Sequence, residues 1–420
     1  METLEKIILV VFIVLMVPLT FGLYYVLCYY DTKTVTTNWS INKKVTEEEP
    51  VTDNTEPLEL VEPIVPVEPV VPVEPVEPVE PVTPIELVEP TSIAKLVNPP
   101  EIIKAVYATA LSAKSQKYSE YLDNLFETTE INAVVIDIKD YSGEVTISVF
   151  DNLIQKLHDK GIYVIGRMVV FEDPVLAKDR PDLAIYDESK TTDLETPVLW
   201  VDNHGLSWTD PASIEVWDYN ISIAKEAIDH GFDELNFDYI RFPSDGEIKD
   251  MGFPIWDKKS SMRSVIKSFF QKLRESLPNA KLSVDLFGYS VVASDDMGIG
   301  QVLEDSFDYF DYISPMVYPS HFKTGFIGYP NPAQYPYEVV KYSMQKALEK
   351  HTAYYNKLQG EEAMNKTKFR PWLQDFNIGV EYTTAMIKEE IKAVEDAVGE
   401  DYYGFMLWNA SNVYTEDAIK

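Results

Sequence analysis

This sequence predicts an α/β fold: a (β/α)8 TIM barrel behind a transmembrane helix and a Pro/Glu-rich stalk. Three observations carry that reading. The run Ile7–Tyr30 holds no charged side chain. Prolines then recur at every third position from Pro63 to Pro84. From about Glu101, short apolar runs alternate with longer amphipathic ones, the pattern of parallel βα units. The expected organisation is residues 1–30 as an N-terminal signal anchor, 31–100 as an extended linker, and 101–420 as the barrel domain.

The elements follow in order. About 20 apolar residues cross a bilayer, and Ile7–Tyr30 is long enough to do so. No convincing small-x-small cleavage site follows it, so an uncleaved anchor is preferred to a removed signal peptide. In the stalk, a proline period of three matches the polyproline II turn. At about 3.1 Å per residue, Pro63–Pro84 would reach roughly 65 Å. Val45–Ala94 contains many Glu and neither Lys nor Arg, so self-repulsion would extend it further. The expected location is the cell membrane, single-pass, with the large domain extracytoplasmic.

In the barrel domain the expected strands are Ala105–Ala108, Ala133–Ile138, Tyr163–Arg167, Glu234–Phe237, Leu282–Leu286, Tyr312–Ser314, Phe369–Leu373 and Gly404–Leu407. Helical stretches are expected at Tyr118–Thr128, Phe150–Lys160, Ile214–His230, Met262–Leu277, Tyr337–Tyr354 and Thr383–Val398. Eight βα units over this length fit a closed barrel, where roughly 250 residues plus insertions are typical. A doubly wound open sheet is the alternative, but no Gly-x-Gly-x-x-Gly follows the first strand.

Composition narrows the function. A net charge of -33 argues against nucleic acid, whose phosphates need a Lys/Arg surface. The single cysteine, Cys28, permits neither an internal disulfide nor a Cys-based zinc site. The five histidines show no His-x-x-x-His pairing, and no Gly-x-Ser-x-Gly elbow or Walker A run is present. No metal or cofactor is therefore expected.

Barrel chemistry sits at the C-terminal ends of the strands. There the second strand offers Asp137, Lys139 and Asp140, and the third offers Arg167, Glu172 and Asp173. The fourth gives Asp238 and Arg241, the fifth Asp285, and the sixth Tyr318 and His321. The seventh gives Arg370, Trp372, Gln374 and Asp375, and the eighth Trp408 and Asn409. An acid on an otherwise apolar central strand is costly unless used or paired, which makes Asp238 the leading candidate. Glycoside hydrolysis needs two carboxyls across the scissile bond. Asp238 and Asp285, on adjacent strands, suit nucleophile or base and acid, with Asp137 in support or paired with Lys139 or Arg167. Arg241 is expected to hydrogen-bond a carboxylate. Tyr318, Trp372 and Trp408 are expected to stack on sugar rings, and Asp375 and Asn409 to complete the binding surface.

Several segments carry a resemblance. They are Asn132–Gly143, Phe171–Ala177, Arg180–Ala184, Trp208–Pro211, Phe237–Gly246, Ser314–His321 and Trp408–Tyr414, and in this order they resemble a bacterial family of glycoside hydrolases named from fold and motif. The resemblance covers nearly all of residues 101–420. It implies a TIM barrel and a glycosidase-like site. By position, Asp238 is similar to the strand-four nucleophile of amylase-like barrels. Their acid is usually a Glu after strand five, where this chain carries Asp285, so the acid stays open. The expected partners are a polysaccharide of the cell envelope as substrate and the lipid bilayer. The alternative is a glycan-binding surface module without turnover.

Overall fold

The computed structural model describes residues 93–358 and 367–420. The expected anchor and almost all of the stalk lie outside these residues. Among the described residues, no helix is long and apolar enough to cross a membrane.

Eight parallel strands close into a barrel. They are β1 (Ile103–Ala108), β2 (Ala133–Lys139), β3 (Tyr163–Val169), β4 (Glu234–Asp238), β5 (Lys281–Phe287), β6 (Tyr312–Met316), β7 (Trp372–Gln374) and β8 (Gly404–Trp408). Each pairs with the next in chain order, β8 pairs with β1, and Trp372 opposite Met316 closes the ring between β6 and β7. Around the outside run α1 (Gln116–Thr128), α2 (Asp151–Asp159), α3 (Ile214–Asp229), α4 (Met262–Ser276), α5 (Pro336–Tyr355) and α6 (Thr384–Val398). The starts of α3, α4 and α6 are set by hydroxyl caps. Ser213, Ser261 and Thr383 accept from the backbone N–H three residues on, satisfying a donor the helix leaves open.

Strands buried on both faces read as apolar runs, and β2 and β3 are buried at every position. Their outward residues, such as Val134, Ile136 and Val164, join helix residues such as Leu273 and Val394 in the main core. Their inward residues, such as Val135 and Ile165, join Ile103, Ala105 and Met406 inside the barrel.

Two features differ from the sequence expectation. The expected strand Phe369–Leu373 is broken. Lys368–Phe369 pairs with β6, and pairing resumes only at Trp372. Pro371 has no N–H to give a ladder, which accounts for the break. Between β5 and β6, where no helical stretch is expected, the chain makes 3-10 turns at Gly288–Val291 and Leu303–Ser306. Arg370, expected at the mouth, points into the barrel floor instead. There its guanidinium pairs with Glu234, lies 4.3 Å from the Tyr312 ring centroid, and is fully buried.

Candidate active site

The mouth of the barrel is organised around Arg167. Parallel register sets Asp137 of β2 opposite Arg167 of β3, so both point inward. Register is irregular between Asp137 and Lys139. Lys139 is turned out to Asp173, 2.7 Å away, and to Asn220 of α3 at 2.9 Å. Asp137 is therefore the partner of Arg167 and not of Lys139. The Arg167 guanidinium donates Nη1 to Asp137 Oδ1 at 2.6 Å and Nη2 to Asp238 Oδ2 at 2.6 Å. Its Nε lies 3.8 Å from Asp285 Oδ2. Burial alone would lower its pKa, but the charges of Asp137 and Asp238 reverse that and hold it well above the usual guanidinium value.

The three acids differ in their surroundings. Asp238 ends β4, and its Oδ1 accepts the N–H of Tyr239 at 2.6 Å. Tyr239 stands at φ 54°, a left-handed conformation that a tyrosine adopts only when its surroundings impose it. Asp285 is buried behind, its Oδ1 accepting from Asn236 Nδ2 at 2.8 Å and Trp372 Nε1 at 2.7 Å. Its Oδ2 has no hydrogen-bond donor among the described residues. Burial, then the Asp238 charge, push Asp285 well above the usual carboxyl range. Burial also raises Asp137, although Arg167 and the Tyr107 hydroxyl both favour its carboxylate.

Aromatics wall this cluster. Tyr107 and Trp408 stack with centroids 4.0 Å apart, and Trp372 meets Trp408 edge-on at 5.7 Å. A cavity of about 600 Å³ opens over them, with Asp238, Asp285, Arg241 and Tyr318 in its lining. A second cavity of about 380 Å³ shares Tyr239, Arg241, Phe287, Met316 and Tyr318 with the first, and adds Tyr289, His321 and Phe322. Gly288 permits this close packing of the β5 and β6 ends, since a Cβ there would stand 2.2 Å from the Met316 carbonyl oxygen.

Six of the nine expected site residues therefore line one cavity, Asp238, Asp285, Arg241, Tyr318, Trp372 and Trp408, with Asp137 bonded to Arg167 beside them. Arg241 does so without the expected carboxylate bond. Its guanidinium lies among the rings of Trp208, Tyr239 and Phe287 at 4.8, 5.0 and 4.7 Å, and Nη1 donates to the Phe242 carbonyl at 3.2 Å. Asp375 and Asn409 are placed elsewhere. Asp375 accepts from the N–H and hydroxyl of Thr415, both at 2.8 Å, and tethers the C-terminal segment. Asn409 donates to the Val413 carbonyl at 2.8 Å and accepts from Ser411, folding its own loop.

Besides Arg167, sequence reasoning noted but did not select Glu172. It is 4% exposed and lines the first cavity. Among the described residues no donor reaches its carboxyl. Burial, then the nearby charge of Asp202, push it up to about 8, with Arg241 opposing and Asp238 and Asp245 adding to the rise. Its only signal in the sequence is its place just beyond β3. Among the described residues no group of three or more His, Cys, Asp or Glu is arranged to hold a metal ion.

Comparison with known proteins adds the following. Residues 105–414 match the profile of a family described as "Putative glycosyl hydrolase domain". A hypothetical protein from Ruminiclostridium thermocellum is 35% identical over 46% of this chain and 98% of its own, with a TM-score of 0.38. An α-galactosidase from Thermus thermophilus solved with stachyose is 14% identical over 76% of this chain and 64% of its own, with a TM-score of 0.44. The spore cortex-lytic enzyme SleL of Bacillus megaterium is 11% identical over 77% of this chain and 73% of its own, also at 0.44. No curated protein matches.

Proposed function

We propose, from the premise that the chain belongs to this family of glycoside hydrolases, that it cleaves a cell-envelope or extracellular polysaccharide by a two-carboxylate mechanism. The observation that carries the reading is the Arg167 fork, which holds Asp238 at the mouth of an aromatic-walled cavity. A charge-assisted hydrogen bond from the guanidinium Nη2 aims the Asp238 carboxylate, while Nη1 is held by Asp137. In this reading Asp238 attacks the anomeric carbon or activates the water that does. Trp408, half-buried above Tyr107, offers a flat apolar face to a pyranose ring. Trp372 acts differently from a stacking platform. Its indole N–H is committed to Asp285, so it positions that acid.

Two adjoining cavities with shared walls support an oligosaccharide as substrate, one sugar beside Asp238 in the first and another beyond Tyr239 and Arg241 in the second. The membrane assignment rests on the sequence. The uncharged run Ile7–Tyr30 and the proline-spaced stalk support an anchored enzyme acting outside the cytoplasm.

The test is turnover of cell-wall and α- or β-linked glycans by the wild type beside Asp238→Asn. Release of product by the wild type, reduced at least about 10²–10⁴-fold in the variant, is expected. Unchanged activity in Asp238→Asn would remove the assignment. Glycan binding without turnover by either protein would make the domain a binding module.

A further inference from the structure

We infer that Glu172, and not Asp285, is the acid that protonates the leaving oxygen. The inference rests on the glycosidase reading above and concerns which group completes it.

Three observations of geometry carry it. First, Glu172 lines the same cavity as Asp238 but is carried by a different element. Asp238 closes β4, whereas Glu172 stands on the loop beyond β3. That loop is stapled to residues 207–209: Thr209 N donates to Phe171 O at 2.9 Å, Asp173 N donates to Ser207 O at 3.2 Å, and Glu172 bridges Trp208. The side chain is thus carried by fixed backbone. Second, the residue is buried, and its carboxyl meets the cavity with no hydrogen-bond donor among the described residues. A carboxylate in that position would be partly desolvated and without a donor from the protein, while a protonated carboxyl needs no donor. Third, Asp285 is badly placed for the task. Its Oδ1 is occupied by Asn236 and Trp372, and its Oδ2 lies beside Arg167, on the same side as Asp238.

The surroundings agree. Asp202, Asp238 and Asp245 face Glu172 with negative charge, Arg241 opposes them, and His204 lines the same cavity. Their balance, with burial, sets the carboxyl at about 8. Asp238, in contrast, takes a hydrogen bond from the Arg167 guanidinium. A carboxyl without a donor facing a carboxylate held by an arginine suits the division into proton donor and anionic partner.

The step balances as follows. The C1–O bond breaks and its electron pair goes to the leaving oxygen, which takes the proton from Glu172. A water supplies hydroxide to C1. Its remaining proton returns to Glu172 where Asp238 has formed a glycosyl ester, or goes to Asp238 where Asp238 acted as base.

The experiment compares wild type, Glu172→Gln and Asp285→Asn on oligosaccharides and on 2,4-dinitrophenyl glycosides of glucose, galactose and N-acetylglucosamine. A dinitrophenolate leaves without protonation. Glu172→Gln is expected to lose about 10²–10⁴-fold on oligosaccharides, little on the dinitrophenyl glycosides, and the alkaline limb of its pH profile. That signature in Asp285→Asn instead, or full oligosaccharide turnover by Glu172→Gln, overturns the assignment while the glycosidase reading stands. A wild type that turns over no glycan overturns both. A readout independent of turnover is ¹³C NMR of labelled glutamate carboxyls. A resonance titrating near pH 8, absent from Glu172→Gln, is expected; a wild type without it refutes the proton donor.

Discussion

Arg167 shows how one side chain sets the character of a site. Its guanidinium takes two carboxylates at 2.6 Å and lies near a third, inside a barrel where unpaired charge is costly. Glu172 has no such partner, and its protonation has a consequence for stability. Its carboxyl titrates at about 8 in the fold against an ordinary value of 4.5. Below pH 4.5 folded and unfolded chains both hold the proton, and Glu172 contributes no difference. Between 4.5 and 8 the folded chain keeps a proton that the unfolded chain releases, so this part of the stability falls as pH rises. Each unit costs up to about 1.4 kcal/mol, a total of about 3–5 kcal/mol above pH 8. Glu172→Gln removes the penalty. Its unfolding free energy, measured in urea, is expected to match the wild type near pH 4 and exceed it increasingly up to pH 8. Parallel curves would show that Glu172 is ionised in the fold. Much of this site was legible in the sequence, because period-two alternation places Asp137, Asp238 and Asp285 on inward positions at strand ends. The partners were less so. Tyr239 at φ 54° breaks the alternation after Asp238, so Arg241 reaches a box of rings where a carboxylate was expected. Asp375 looks like another strand-end acid, yet its partner, Thr415, is distant in sequence.

The barrel's elements meet the interior in polar and apolar layers. At the floor, β4 and the turn before β7 are joined by the ion pair of Glu234 and Arg370, both fully buried, with the Tyr163 hydroxyl 3.3 Å from Glu234 Oε2. Removing one partner strands the other charge, whereas replacing both trades desolvation for packing. Arg370→Met alone is therefore expected to destabilise by about 3–5 kcal/mol, and Glu234→Leu with Arg370→Met by much less. A double-mutant cycle by urea unfolding measures the difference. Additive losses would mean that the pair is not coupled. Element positions were legible for a related reason. Strands of a parallel barrel are short apolar runs, and the expected Glu234–Phe237 and Ile214–His230 fall within a residue of β4 and α3. What failed was continuity. Pro371 interrupts a run whose composition reads as one strand. That failure comes from a local backbone requirement that hydrophobic periodicity does not encode.

At the scale of the whole molecule, the described chain enters the barrel from the face opposite the mouth. Ile93 N donates to Asp229 O at 3.2 Å, and Leu96 N to Asp233 Oδ1 at 2.7 Å. Asp233, just before β4, is the centre of this attachment. Its Oδ2 also accepts the N–H of Val164, at the start of β3, at 2.8 Å and meets His158 Nε2 at 2.9 Å. His158 Nδ1 lies 3.1 Å from the Ala94 carbonyl, so the histidine clasps the entering segment to the barrel underside. Leu96 packs against the interior cluster from below, and Gly231, at φ +89°, leaves room for Ile93, which a Cβ would approach to 2.7 Å. Asp233→Ala removes the shared acceptor of the segment and of β3. It is expected to raise amide hydrogen exchange in residues 93–97 by at least about tenfold, equivalent to about 1.4 kcal/mol of local opening. Exchange at Asp238 and Arg241, at the other end of the barrel, should change little. Unchanged exchange in residues 93–97 would mean that the segment is held by Ile93 and Leu96 packing alone, and general acceleration across β3 and β4 would make Asp233 a determinant of the barrel itself.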